Sequence, residues 1–197
     1  MIGRFIHKRI EEKMFKGKVI TILGARQTGK TTLLKAIAKN FEQMVWLNAD
    51  EFDIQEKFNN PTSTGLKALI GNAKLVVIDE AQKISEIGIA LKLLVDNYPE
   101  IQVIATGSSA FELSNKLNEP LTGRKFEFQL YPITTDELNL HHTVLIENRL
   151  LNHRLIYGFY PDVLNNQGSE IDILKLLADS YLFRDVLMLD NTKKPEK

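Results

Sequence analysis

One octapeptide limits what this chain can become. Gly24-Ala25-Arg26-Gln27-Thr28-Gly29-Lys30-Thr31 follows the spacing G-x-x-x-x-G-K-[ST], the pattern of a phosphate-binding loop. The residues on either side fit that pattern. Lys18-Val19-Ile20-Thr21-Ile22-Leu23 is short, apolar and β-branched, and reads as a buried strand. Thr32–Lys39 places Leu33, Leu34, Ile37 and Ala38 at helical spacing. Such a loop between a strand and a helix requires an α/β architecture. Its glycines let the backbone turn and approach phosphate oxygens closely. The free N–H groups and the positive end of the next helix attract the anion. On this reading Gly24, Ala25, Arg26, Gln27, Thr28, Gly29, Lys30, Thr31 and Thr32 hold the nucleotide. Lys30 reaches the β- and γ-phosphates, and Thr31 is a ligand of Mg²⁺.

A second strand pattern completes the chemistry. Lys74-Leu75-Val76-Val77-Ile78 runs directly into Asp79-Glu80. The apolar run buries the strand and delivers the carboxylates to its carboxyl end, where open parallel sheets bind ligands. This is the form of a Walker B strand. Asp79 is assigned to Mg²⁺, mostly through water, and Glu80 to the general base that activates the attacking water.

The remaining elements follow from periodicity. Residues 4–15 read as a helix ended by Gly17, and 44–48 as a strand. Residues 50–60 read as acidic and irregular, and 63–70 as a helix. Ser85 is placed to cap a helix through about Asn97, with Ile87, Leu91, Leu94 and Val95 as its buried stripe. Residues 101–107 form a strand ending in the hydroxyls of Thr106, Ser108 and Ser109, and a helix is expected over 110–118. Residues 125–131 alternate, as in a strand with one buried face or at a sheet edge. After Pro132 the strand signals fade. Helices are expected over 135–157 and 169–189, with a break at Gly158–Asp162. The organisation expected is a nucleotide-binding core over 1–132, a small helical lid-like region over 133–190 and a disordered tail over 191–197.

Composition narrows the class. The 197 residues contain no cysteine, so disulfides and thiolate metal sites are excluded. No run of 18 apolar residues occurs, and no signal-peptide pattern opens the chain; a cytoplasmic, soluble protein without a membrane partner is expected. The net charge is zero but unevenly spread. Residues 1–40 carry ten Lys/Arg against two Asp/Glu, and 41–100 carry five against ten. A basic N-terminal quarter fits phosphate binding. It does not demand nucleic acid, for which a strongly basic domain is the usual sign.

Taken together, these residues resemble the AAA+ superfamily of P-loop ATPases. They are most similar to a prokaryotic group of predicted ATPases marked by G-x-R-Q-x-G-K-T, a hydrophobic strand ending in D-E, T-G-S-S, and G-R before an alternating strand. Here those signatures are Gly24–Thr31, Asp79-Glu80, Thr106–Ser109 and Gly123-Arg124, joined by Tyr160-Pro161-Asp162 and Tyr181–Asp185. The resemblance implies a three-layer α/β/α fold around a mostly parallel sheet. It implies a γ-phosphate sensor at Ser108, with Thr106 as the second choice. Arg124 corresponds to an arginine finger serving a neighbouring subunit of a homo-oligomer. Arg184 stands where a lid phosphate sensor would, unless it pairs with Asp185 or another acid. The resemblance also implies a further C-terminal domain, not contained in a chain that stops at Lys197.

Other readings fit less well. Asn115-Lys116-Leu117-Asn118 resembles the guanine-reading N-K-x-D but lacks its carboxylate, and Asp79 is not followed by the glycine of a GTPase switch. A small-molecule kinase would want an arginine-rich lid, and arginines are few after Pro132. A non-hydrolysing nucleotide switch or scaffold is the main alternative to an ATPase. His141, His142 and His153 read as surface or lid residues rather than metal ligands.

Overall fold

The computed structural model describes residues 2–107, 116–117 and 119–179. Their contacts divide the chain into two compact units. One comprises Gly3–Ala25 with Gly29–Tyr131; the other comprises the described residues from Pro132 onward with Ile2 and Arg26–Thr28.

The first unit is a five-stranded, wholly parallel sheet in the order β2-β3-β4-β1-β5. Its strands are β1 (Val19–Leu23), β2 (Met44–Asn48), β3 (Leu75–Asp79), β4 (Gln102–Gly107) and β5 (Lys125–Gln129). β1, β3 and β4 are buried along their whole length, which is why their sequences are continuous apolar runs rather than alternating ones. β5 lies at an edge and buries Phe128 between exposed Glu127 and Gln129, so both halves of the expectation for this strand hold.

Alternate strand residues feed two cores. Ile20, Ile22, Leu75, Val77 and Ile104 pack with Leu33, Leu34 and Ile37 of α2 (Lys30–Ala38) and with Ile10 of α1 (Phe5–Glu11). On the opposite face, Leu23, Val76, Ile78 and Val103 pack with Ile54 of α3 (Phe52–Lys57), Leu66 and Ile70 of α4 (Ser63–Ile70), and Ile87, Leu91 and Leu94 of α5 (Ile87–Asn97). The three-layer α/β/α fold is therefore present. α3 falls in the stretch expected to be irregular; burial of Ile54 and Phe58 fixes it. α5 starts one residue later than expected. Its N-cap is Glu86, without a side-chain hydrogen bond, because Ile84 is extended after the 3₁₀ turn that precedes it.

The second unit is helical: α6 (Thr135–His141), α7 (Val144–Arg149), α8 (Leu151–Tyr157), α9 (Pro161–Asn165) and α10 (Glu170–Leu177). The single helix expected over 135–157 is thus three. Thr143 is extended, and its hydroxyl accepts from Ile146 N at 3.3 Å, starting a new helix. Thr134 and Glu137 form a reciprocal capping box at the start of α6. Glu147 is buried between Arg154, at 3.1 and 3.2 Å, and His142, at 2.8 Å. Burial pushes the Glu147 carboxyl up, but hydrogen bonds and charge from Arg154 and His142 prevail and hold it below its ordinary value. The helices expected over 110–118 and beyond 179 lie largely outside the described residues, as do Arg184 and the tail.

Candidate functional site

Parallel register brings the sequence-predicted groups to one end of the sheet. β1 stands beside β4, with Ile22 opposite Thr106 and Leu23 opposite Gly107. β4 stands beside β3, with Ile78 opposite Ala105. The loop after Leu23, the Asp79-Glu80 pair and Thr106 therefore leave the sheet together at its carboxyl edge, where an open parallel sheet binds ligands.

The loop is built for an anion. Gly29 precedes α2 with φ of +96°, a conformation natural to glycine. Gly24 is required for a different reason, absent from the sequence pattern. A Cβ there would come within 2.3 Å of the Leu130 carbonyl oxygen, because Leu130 N donates to Leu23 O at 2.7 Å and draws the end of β5 against the loop. Lys30 is buried at the root of α2, and its Nζ donates to the carbonyls of Gly24 and Ala25 at 2.9 Å each. Thr28 is also buried, whereas Ala25, Thr31 and Thr32 are exposed.

The acidic side meets the loop directly. Thr31 Oγ1 donates to Asp79 Oδ2 at 2.9 Å, and the Thr106 hydroxyl donates to Asp79 Oδ1. Thr106 Oγ1 in turn accepts from Glu80 N at 3.2 Å. Thr106 Oγ1 thus bridges the Asp79 carboxylate and the Glu80 N–H. Glu80 is left-handed, with φ of +55°, uncommon for a non-glycine residue and sustained only where the surroundings enforce it. Its Oε2 accepts from Gln82 Nε2 at 2.6 Å; nothing in the motif signalled Gln82. Ser108, the first choice for the sensor, lies outside the described residues.

Arg124 is not at this edge. It precedes Lys125, which is opposite Val19 at the start of β1, roughly 16 Å along the strand from Gly24 at the usual rise per residue. Its Nε bonds Asp96 Oδ1 at 2.7 Å, and both side chains are about 40% exposed.

A family model described as AAA domain matches residues 16–139. The chain belongs to that family. The match takes in the loop, the Asp79-Glu80 strand, Thr106 and Arg124. Two uncharacterized mycobacterial proteins, from Mycobacterium tuberculosis (strain ATCC 25618 / H37Rv) and Mycobacterium bovis (strain ATCC BAA-935 / AF2122/97), are each 28% identical over 131 residues. That alignment covers 66% of this chain and 29% of each relative, so the chain spans under a third of the length of the relatives it matches. Among solved structures, a Walker-type ATPase of Pyrococcus abyssi superposes with a TM-score of 0.66 at 18% identity, over 96% of this chain and 75% of that one. A signal-transduction ATPase with numerous domains from Pyrococcus horikoshii, bearing a tetratricopeptide repeat sensor, gives 0.53 at 17% identity, over 84% and 29%. These neighbours share the fold. Membership in the AAA family supports a nucleotide-binding ATPase at the level of the family. No helix among the described residues is long and apolar enough to cross a membrane, and they contain no cluster of three or more His, Cys, Asp or Glu able to hold a metal.

Proposed function

We propose that this AAA domain binds ATP with Mg²⁺ at Gly24–Thr32 and hydrolyses it, and that nucleotide state sets the conformation of the helical residues after Pro132 or their engagement of a partner. The observation that carries the reading is the 2.9 Å contact between Thr31 and Asp79: the hydroxyl of the phosphate loop and the carboxylate of the third strand converge on one point. A hydroxyl and a carboxylate are the hard oxygen donors that Mg²⁺ prefers, and Thr31 and Asp79 are the residues assigned to hold it. When bound, Mg²⁺ supplies charge neutralisation at the β- and γ-phosphates. Lys30, whose Nζ rests on the Gly24 and Ala25 carbonyls, is the residue assigned to the β- and γ-phosphates. Glu80 takes the proton of the attacking water as that water's oxygen bonds to the γ-phosphorus and the ADP oxygen leaves. Glu80→Gln is expected to keep ATP affinity and lose hydrolysis by roughly 10²–10⁴, the usual loss on removing a general base; turnover equal to wild type rejects the assignment.

Arg124 is proposed as the arginine finger of an adjacent copy. Its place at the amino end of the sheet supports action outside its own site, and an exposed ion pair such as Arg124–Asp96 contributes only about 0–1 kcal/mol, so a neighbour can claim the guanidinium. This also keeps a switch with little turnover in view, since an isolated subunit lacks the finger at its own site. Arg124→Ala is expected to leave ATP affinity unchanged and to abolish the rise of specific activity with protein concentration. Mixed with Glu80→Gln, it is expected to recover hydrolysis. Mixtures that stay inactive while both variants bind ATP reject the finger.

A further inference from the structure

A polar chain reaches the Glu80 carboxylate from outside the nucleotide motifs. Gln82 lies in the 3₁₀ turn Ala81–Lys83, almost wholly buried, and its amide donates to Glu80 Oε2 at 2.6 Å. The turn is held in its own right. Lys116 Nζ donates to the carbonyls of Gln82, at 2.5 Å, and Ile84, at 3.2 Å. The Lys116 backbone is seated against α5 so closely that a Cβ on Gly88 would come within 2.2 Å of the Lys116 oxygen and 2.8 Å of Pro120 Cγ. Thr106 holds the Glu80 N–H from the sheet side. Glu80 is thereby fixed at its backbone by Thr106 and at its carboxylate by Gln82, with Lys116 fixing the turn that carries Gln82.

We propose that Gln82 is a positioning residue for Glu80 and that Lys116 is its anchor. The proposal rests on the reading of Glu80 as the general base. A glutamate has three rotatable side-chain bonds, and its efficiency as a base depends on how often its oxygen stands where the water is. With Oε2 occupied by the amide, Oε1 is the oxygen left to face the water, and the ordering of the side chain precedes the reaction rather than accompanying it. Gln82 takes no proton itself, and the two Lys116 contacts above are to backbone carbonyls, so both act through Glu80. The lysine that in sequence resembled part of a guanine-reading motif thus has its ammonium on the turn after Asp79-Glu80.

The test is single-turnover ATP hydrolysis and ATP·Mg²⁺ binding in five variants of the whole chain. Gln82→Met keeps the length and removes the donor. Gln82→Glu keeps the shape and sets a second carboxylate against the first. Both are expected to bind ATP within about twofold of wild type; hydrolysis falls about tenfold in Q82M and further in Q82E. Lys116→Met is expected to lose a similar factor. The double variant Q82M/K116M is expected to fall no further than the worse single one, because both changes act through one turn. A merely structural glutamine predicts that the isosteric Q82E is the milder change, and that order overturns the proposal. So does a wild-type rate in Q82M, or a loss of ATP affinity matching the loss of rate. Multiplicative losses in the double variant overturn the anchor role of Lys116. Glu80→Gln in the same series separates the two levels: if it hydrolyses normally, the base assignment fails and the clamp with it; if it is inactive while Q82M is normal, the clamp alone fails.

Discussion

The two units of this chain are held together by different physics. In the P-loop unit, strand and helix side chains fill two apolar cores, and Ile20, Ile22, Leu34, Leu75, Ile78 and Leu91 have no more than a trace of exposed surface. In the helical unit the large apolar side chains are mostly outside: Leu140, Leu145, Leu155 and Ile156 are all more than 60% exposed. Beside Ile133, Leu138, Val163 and Leu177, that unit buries four charged side chains, Glu137, Glu147, Arg154 and Glu170. A sheet buried on both faces collects apolar area from every strand. Short helices of five to eight residues gain little from propensity alone; α6 and α7 start on side-chain caps, and the Glu147–Arg154–His142 cluster ties α7 to α8 and to the end of α6. The helical unit depends in part on ionisation, through the buried Glu147 carboxylate.

That contrast can be broken at its strongest point first. Glu147→Ala removes one partner of a buried pair and leaves Arg154 uncompensated, a change that typically costs roughly 3–5 kcal/mol. Hydrogen exchange is expected to show α6, α7 and α8 losing protection while the strands keep theirs; equal loss in both units contradicts the contrast. The same cluster fixes the sign with pH. Because the Glu147 carboxyl is held below its ordinary value of 4.5, its stabilisation is full above that value and is lost as pH falls through the depressed one. Acid is therefore expected to loosen the helical unit before the sheet.

The next effect is packing. Leu91→Ala deletes a fully buried side chain on α5 and is expected to destabilise the P-loop unit by about 2–5 kcal/mol. Leu155→Ala, on a side chain 73% exposed, is expected to change stability by less than about 0.5 kcal/mol. Denaturant melts of the two variants check both figures, and a large loss in Leu155→Ala means that this apolar surface is covered.

The same difference explains what could be read without coordinates. Val19–Leu23, Leu75–Asp79 and Gln102–Gly107 announce buried parallel strands because both faces are apolar, and the spacing of Leu33, Leu34, Ile37 and Ala38 announces the helix that covers them. The convergence of Lys30, Thr31 and Asp79 follows once a parallel sheet is assumed. The helical unit is harder, because its determinants are polar and lie apart in sequence. Glu147 and Arg154 are seven residues apart, across a break at Leu150, and read as surface charges. The caps at Thr134 and Thr143 were not read as helix starts, so the division of 135–157 into separate helices was missed. Gln82 gave no signal and Lys116 a misleading one, because their contacts lie in a hydrogen bond two residues away and in two that cross 34 and 32 residues of chain. Gly24 was legible as necessary, but the Leu130 carbonyl that excludes a side chain there was not.

The central claim is that Gly24–Thr31, Asp79 and Glu80 form one ATP·Mg²⁺ site, and titration calorimetry of ATP·Mg²⁺ into wild type and Lys30→Ala tests it most directly. Charge-assisted contacts from the Lys30 ammonium are each worth roughly 1.5–3 kcal/mol. The account predicts that the variant binds at least tenfold more weakly while its melt is unchanged; the same Kd in both proteins contradicts it.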